Sequence, residues 1–508
     1  MRLRVISSWA GPIAVTLAGV NAARLSEPAL ASQATNSPSL EHGPPLVIQV
    51  EPRVELLSIL FRLAGNSEYN QGKVDTYTSD VEKQFGAFRG HPAVKLAREL
   101  RQRRGVSYDA CMSMAVHLRD ARELTPLVEL SPWPEGLDRR WGVSDATNFL
   151  TAARQFVQET AFLEFLERHR PLYEITEARL KALMEKEGHL EWFREFFGDR
   201  PQATFIIAAA LLNGGCCYGA HCRESAGREQ LYCILGVWKT DGEGLPVFTR
   251  DMLGTVVHEF GHSYANQVVD RHAAELKSAG DKLYRHVEGK MRSQAYGDSR
   301  TMLKESLVRA CEVRYAFRYD GPAAGRRAIA NHQGRGFLWM EELSNLLSQY
   351  EAHRGQFPTL ETFAPRLARF FTEYAQGFAE RQTALDGKRP KISSMTPANG
   401  ATDVDPNLTR LQVVFDRPMK DGSWALVGGG PHCPQTTGKA QYNTELTTWT
   451  VPVKLKPNWS YEFKLNSETF NAFRSEEGVP LEPVTVTFRT AGDNRKPEAP
   501  NPESEAEN

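Results

Sequence analysis

Charge of one sign is what this chain lacks. Its 61 Lys and Arg residues stand against 62 Asp and Glu, a net charge of −1. So even a balance gives no electrostatic case for nucleic acid or an anionic membrane as partner. Clusters such as Arg101-Gln102-Arg103-Arg104 read as solvated helix ends. Long hydrophobic runs are scarce too. Only Ile6–Val20 stands out, and Gly11 and Pro12 interrupt it. It is short of the roughly 20 apolar residues that a membrane span needs. With Arg2 and Arg4 before it and small-residue cleavage sites after Ala22 or Ala31, it reads as a secretory signal over 1–31. The expected product is exported (periplasmic, cell-surface or extracellular), with no membrane span in the mature chain. Residues 32–45, rich in Ser, Asn and Pro, read as a disordered lead-in.

Cysteine is sparse and odd in number. Cys111, Cys216, Cys217, Cys222, Cys233, Cys311 and Cys433 cannot all pair within one chain. Cys216, Cys217, His221 and Cys222 crowd together as a small metal cluster would. Adjacent cysteines make poor tetrahedral geometry, however, and an oxidising compartment favours disulfides. A disulfide among Cys216, Cys217, Cys222 and Cys233, or buried thiols, is the expectation.

At 508 residues the chain has room for two or three domains. Leu46–Val50 reads as a strand and Val54–Leu63 as a helix. Ala93–Arg101 and Ala110–Arg122 also look helical. Ser144-Asp145 is placed to cap a long helix running to about Arg168, with Phe149, Phe156 and Phe162 among its core residues. Glu174–Lys186 and Leu190–Phe197 continue the helical block. Then the period changes. Ala203–Leu212 is a continuous apolar run and Gln230–Trp238 a second strand, with Gly214 and Gly215 marking a turn or a close backbone approach between them. Trp339–Tyr350 and Phe363–Phe378 read as helices again.

The chemistry is concentrated in His258-Glu259-Phe260-Gly261-His262. These residues lie in a helical run, Asp251–Val269, that opens after a plausible N-cap, Thr249. Positions i and i+4 share one helix face, so both imidazoles can grip one metal ion. Glu259 lies one step round, where it can reach a water on that metal as general base. Zinc is the metal such a set suits, and it needs a third protein ligand and an open position. Glu305 fits, on the run Glu305–Glu312, with Leu303, Leu307, Val308 and Cys311 as that helix's apolar side. Glu312 shares its face, as a partner for a ligand histidine or as the ligand itself. Asp270, Glu275 and Glu288 are weaker rivals. Tyr296 is the first choice for an oxyanion donor, with Tyr315 and His286 as alternatives.

The His-Glu-Phe-Gly-His-Ser helix, the downstream Glu-Ser-Leu-Val-Arg-Ala helix and the upstream Leu-Leu-Asn-Gly-Gly segment together resemble the bacterial DUF4932 family. That family is gluzincin-like, similar to thermolysin-type metallopeptidases in its catalytic helices. The resemblance runs through most of residues 47–385. It implies a zinc-dependent peptidase fold, with His258, His262 and Glu305 as zinc ligands and Glu259 as base. Gly214-Gly215-Cys216-Cys217-Tyr218-Gly219 stands where Gly-Gly-x-Asn-Tyr-Gly is expected, a departure on the substrate side. In such folds an edge strand beside the metal helix binds peptide by strand addition. Residues 211–219 are the candidate edge, with a plain hairpin loop as the alternative.

Composition shifts near 388–392. Short strands follow at Leu411–Phe415, Thr447–Leu455, Tyr461–Leu465 and Val484–Thr490. Met395–Val404 with Val414–Met419 resembles the bacterial Ig-like Big_5 module over 390–492, which implies a β-sandwich. Residues 493–508 read as a disordered tail. The expected fold class is α+β: a mainly helical zincin-like catalytic domain over 46–388 with a small mixed sheet, then the sandwich. The expected function is a secreted zinc peptidase acting on peptide or protein substrates. A zinc amidase on cell-wall peptide or a small amide, and a non-catalytic surface binding protein with a metal site, are the alternatives.

Overall fold

The computed structural model describes residues 45–492 apart from 226, 468 and 469. The signal segment, the lead-in up to residue 44 and the tail lie outside them. The chain divides into two compact units. The first runs to Ile329 and takes in Trp339–Thr372; the second comprises Ala330–Leu338 and the chain from Glu373 onward. Among the described residues no helix is long and apolar enough to cross a membrane.

The first unit opens with strand β1 (Leu46–Gln49) and helices α1 (Pro52–Leu63), α2 (Asp75–Phe85), α3 (Pro92–Arg104) and α4 (Asp109–Val116). Helices α5 (Val143–Glu159), α6 (Phe162–Glu187) and α7 (Glu191–Phe197) follow. Next come strands β2 (Ala203–Ala210), β3 (Tyr218–Arg223) and β4 (Glu229–Gly236). Helices α8 (Leu253–Arg271), α9 (Ala273–Ser293), α10 (Ser299–Tyr319), α11 (Pro322–Gly334), α12 (Met340–Ala352) and α13 (Leu360–Gln376) follow, while the ends of α11 and α13 and all of α14 (Phe378–Lys388) belong to the second unit.

Several sequence expectations are corrected. The helix expected over 144–168 is two helices. Ala161 adopts a left-handed φ of +52°, and the Thr160 hydroxyl donates to the Phe156 carbonyl, closing α5. Gly142 stands at its N-cap position, with no side-chain cap from Ser144 or Asp145. The chain then runs unbroken through Pro171 to Glu187. The helix expected to reach Arg122 stops at Val116, because Leu118 leaves the helix to bridge Pro126. Thr249 does not cap α8: its hydroxyl bonds Asp251, and a 3₁₀ turn leads into the helix.

The sheet order is β1-β2-β4-β3, parallel except for β3, which runs antiparallel to β4 at the edge. Buried on both faces, β2 and β4 read as near-continuous apolar runs, as interior parallel strands must. From β2 the chain crosses the end of β4 to reach β3. Here Gly214 has a φ of +55°, and a Cβ on Gly236 would sit 2.2 Å from the Gly214 carbonyl oxygen. Glycine is required where two backbones pass this closely. Residues 211–217 are therefore a crossover turn, and the edge strand itself is 218–223.

Helix α8 packs against β3 and β4, and α10 packs against α8, α9 and α12. The contact of β3 with α8 is intimate: a Cβ on Gly219 would lie 2.4 Å from the carbonyl oxygen of Glu259.

Among its described residues the second unit holds nine strands: β5 (Ile392–Thr396), β6 (Ala401–Val404), β7 (Arg410–Phe415), β8 (Leu426–Val427), β9 (Gln435–Thr436), β10 (Gln441–Tyr442), β11 (Thr448–Lys454), β12 (Ser460–Leu465) and β13 (Val484–Thr490). They form two sheets, β10-β11-β7-β5 with β9 on β11, and β6-β13-β12-β8. Alternate residues of both sheets, among them Leu411, Val413, Trp449, Val451, Phe463 and Phe488, meet in one core. That is the arrangement of a β-sandwich.

The Gly219 contact gives a stability test. Gly219→Ala should cost about 1–3 kcal/mol in chemical unfolding, since backbone atoms cannot yield as a side chain could. Gly289→Ala, in the middle of α9 with open space around its Cβ position, should instead stabilise by about 0.5–1 kcal/mol. Equal unfolding midpoints for the two variants would contradict this reading of β3 on α8.

Candidate metal centre

Helix α8 sets His258 and His262 one turn apart on one face, with their Nε2 atoms 3.2 Å from each other. Each ring is held from behind. Asn266 Oδ1 lies 3.2 Å from His262 Nδ1. Glu312 Oε1 lies 2.9 Å from His258 Nδ1, at hydrogen-bond distance though off good hydrogen-bond alignment. Partners on Nδ1 leave both Nε2 atoms to face forward.

The third donor comes from α10. Asp298 caps that helix, its Oδ1 accepting from the Thr301 amide at 2.8 Å. The helix packs closely on α8: a Cβ on Gly261 would stand 3.3 Å from Val308 Cγ1, which would have to give by a few tenths of an ångström. This puts Glu305 Oε1 3.5 Å from His262 Nε2 and Oε2 3.7 Å from His258 Nε2. Donor atoms of all three residues lie within 4.8 Å of one another. Tetrahedral zinc with bonds of about 2.0–2.1 Å holds its ligand atoms roughly 3.3–3.4 Å apart. The residues present fit such an ion in both spacing and donor type. Among the described residues they are the one set of three or more His, Cys, Asp or Glu side chains so placed.

Glu305 is buried, yet ionised. Burial pushes its carboxyl up, but the Arg309 guanidinium and the two histidines outweigh that and hold it at about 2. Arg309 Nη2 donates to Glu305 Oε2 and to the Tyr296 hydroxyl, both at 2.8 Å. Tyr296 in turn donates to the same Oε2 at 3.0 Å. The turn after α9 delivers that phenol. Ala295, at φ +67°, sits in a left-handed cap, with its amide bonded to Arg292 and the Tyr296 amide to Met291.

Glu259 has the same side chain and similar burial but the opposite fate. Burial, with repulsion from Glu305 and Glu312, raises its carboxyl to about 7 against the pull of His258 and the Gly219 amide. Two carboxyls pushed apart in this way are fitted to different tasks, one a fixed anion and the other a proton carrier.

The rivals for third ligand are engaged elsewhere. Asp270 pairs with Arg300 and Lys304, Glu275 with His272, and Glu288 with Arg292. Of the alternative oxyanion donors, Tyr315 donates to the Gly188 carbonyl in the core and His286 is exposed on α9. All seven cysteines are free, so the disulfide expected among Cys216, Cys217, Cys222 and Cys233 is replaced by its alternative of unpaired thiols. Cys217 and Cys222 are each pushed up to about 12 by burial, which keeps them protonated. Expected peptide pairing along 211–219 is also revised. Only Tyr218 and Gly219 of that span belong to the edge strand. Further along β3, Gly136 closes on the His221 carbonyl, with room for no Cβ. Sequence reasoning missed Asn266 and Arg309. Both carry the signal of helical spacing, each four residues after a ligand.

No curated protein matches this chain in sequence. Among solved structures, the chain is similar to the surface layer protein SbsC, domains 1–6, at 16% identity over 46% of this chain and 33% of that one. It is also similar to the S-layer protein rSbsC(31–844), at 12% identity over 79% and 46%. This chain thus spans less than half the length of either, and a TM-score of 0.16 in both cases establishes no shared fold. Residues 386–490 match the bacterial Ig-like domain, Big_5, in keeping with the sandwich. Residues 46–370, well over half of the chain and including every residue of the site, match the domain of unknown function DUF4932; the chain belongs to the DUF4932 family.

Proposed function

We propose that this protein is an exported zinc-dependent peptidase of gluzincin-like, zincin-type architecture. The observation that carries the reading is the convergence of His258 Nε2, His262 Nε2 and the Glu305 carboxylate at zinc-ligand spacing, with Glu259 beside them. A purely structural site needs no general base. Yet Glu259 is kept buried next to the ligands, with its carboxyl raised toward neutrality by burial.

Bound here, zinc would supply a water acidified toward a pKa of about 7 and would polarise the scissile carbonyl. The chain's own residues do the rest. Glu259 takes the proton of the attacking water and delivers it to the departing amine. The Gly219 amide steadies that carboxylate from the edge strand. Glu312 and Asn266 fix the imidazole tautomers and ring planes. Tyr296, the expected oxyanion donor, has its hydroxyl proton committed to Glu305. This favours a ligand-holding role for it.

Three outcomes test the proposal. The full chain should release fluorescence from quenched peptide libraries, lose that activity to a zinc chelator and regain it with added zinc; chelator-resistant cleavage would contradict a metal mechanism. Glu259→Gln should retain zinc while turnover drops about 10²–10⁴-fold, and a parental rate would remove Glu259 as base. Glu312→Ala should weaken zinc binding about 10–100-fold in chelator competition. Complete loss of zinc would instead make Glu312 a ligand, and unchanged affinity would make it a bystander.

A further inference from the structure

We infer that Arg309 and Tyr296 form a clamp on one oxygen of Glu305, so that a metal held by this chain is offered Oε1 alone. The inference rests on the metal reading of the site proposed above and adds a positioning role for two residues behind the ligand.

The hydrogen-bond directions support it. Arg309 Nη2 donates to the Tyr296 oxygen at 2.8 Å, which leaves the phenol proton to point at Glu305 Oε2, 3.0 Å away. The same Nη2 reaches Oε2 directly at 2.8 Å. Oε2 thus accepts two donors, one of them charged, and charge-assisted bonds are roughly twice as strong as neutral ones. No hydrogen bond from this pair falls on Oε1, which faces His262 Nε2 at 3.5 Å. The clamp is well placed to matter, because Oε2 is only 3.7 Å from His258 Nε2 and within reach of the same ion. Released, it could join Oε1 and bind in bidentate fashion. That would fill the position a catalytic zinc keeps for water.

The energetics point the same way. Arg309 and Glu305 are 5% and 7% exposed. A buried guanidinium is costly to desolvate and repels a nearby metal cation. A site selected for affinity alone would do better with a neutral donor here. The guanidinium is well suited to a different task, fixing both the charge and the orientation of the carboxylate. The phenol is itself anchored: the Tyr284 hydroxyl donates to the Tyr296 carbonyl at 2.9 Å, and the left-handed cap at Ala295 sets the direction of the chain.

Cobalt(II) reports coordination number directly, because its visible d–d bands weaken as coordination rises from four to five. Full-length parent, Tyr296→Phe, Arg309→Lys and the double variant would be stripped of metal and titrated with cobalt(II). Absorption would be compared per bound cobalt at saturation. The parent should give the intense bands of a four-coordinate ion. Tyr296→Phe should lose intensity per bound cobalt, and the double variant should lose more. Should Arg309→Lys fail to fold, Tyr296→Phe still carries the test, because Phe keeps the ring packing. Variants that load cobalt with the parent's spectrum would overturn the clamp and leave the metal site intact. A parent that binds no cobalt would overturn the metal reading beneath it.

Discussion

The close seating of α10 on α8 is the constraint on which the rest of the site depends. Two histidines one turn apart can supply only two ligands, so a third must come from a different element at a fixed distance. Gly261, inside the motif itself, lets Val308 approach to where a Cβ would have 3.3 Å of clearance. One helical turn earlier than Arg309, Glu305 then faces the two Nε2 atoms. On the other side of α8, Gly219 is the stricter case: a Cβ there would meet the Glu259 carbonyl oxygen at 2.4 Å. Helix α8 is thus held between a helix and an edge strand, and the strand is admitted by the missing side chain of Gly219. Rigid elements hold a constellation more tightly than loops can.

Burial makes this arrangement chemically useful. Glu259 and Glu305 share a side chain, a neighbourhood and a low exposure of 7%. They part because Arg309 stands behind one and not the other. Charge compensation holds Glu305 at about 2, while burial and the neighbouring Glu305 and Glu312 lift Glu259 to about 7 against the pull of His258 and the Gly219 amide. An ionised ligand and a near-neutral base are what metal-assisted hydrolysis asks of two carboxyls. Asn266 and Glu312 stand behind the two imidazoles, so each of the three candidate ligands has a polar neighbour on its far side.

Much of this was legible in the residues. The i, i+4 histidines with an intervening glutamate, and the apolar stripe that puts Glu305 on a helix, follow from helical spacing alone. The four long strands of the sandwich follow from alternating apolar and polar residues between turn signals. Failures arose where a backbone departs from its local preference. Ala161 and Ala295 adopt left-handed conformations without being glycine, so the break between α5 and α6 and the turn that aims Tyr296 left no sequence mark. The crossover at 211–217 read as a strand edge because its two glycines signal a bend without saying what passes beneath. For the cysteines, disulfides and buried thiols both stood open. Compartment argued for the first, and the fold holds them as unpaired thiols, four of the seven buried. Arg309 and Asn266 were overlooked because a charged or amide side chain in a helix is usually solvent-facing, and only the tertiary contact turns it inward.

Elemental analysis of the full-length protein after metal-replete purification, with Glu305→Ala alongside, tests the central claim most directly. The account predicts a single zinc ion per parent chain and little or none in the variant. A parent without zinc would contradict the metal centre. A variant that keeps its zinc would contradict Glu305 as the third ligand.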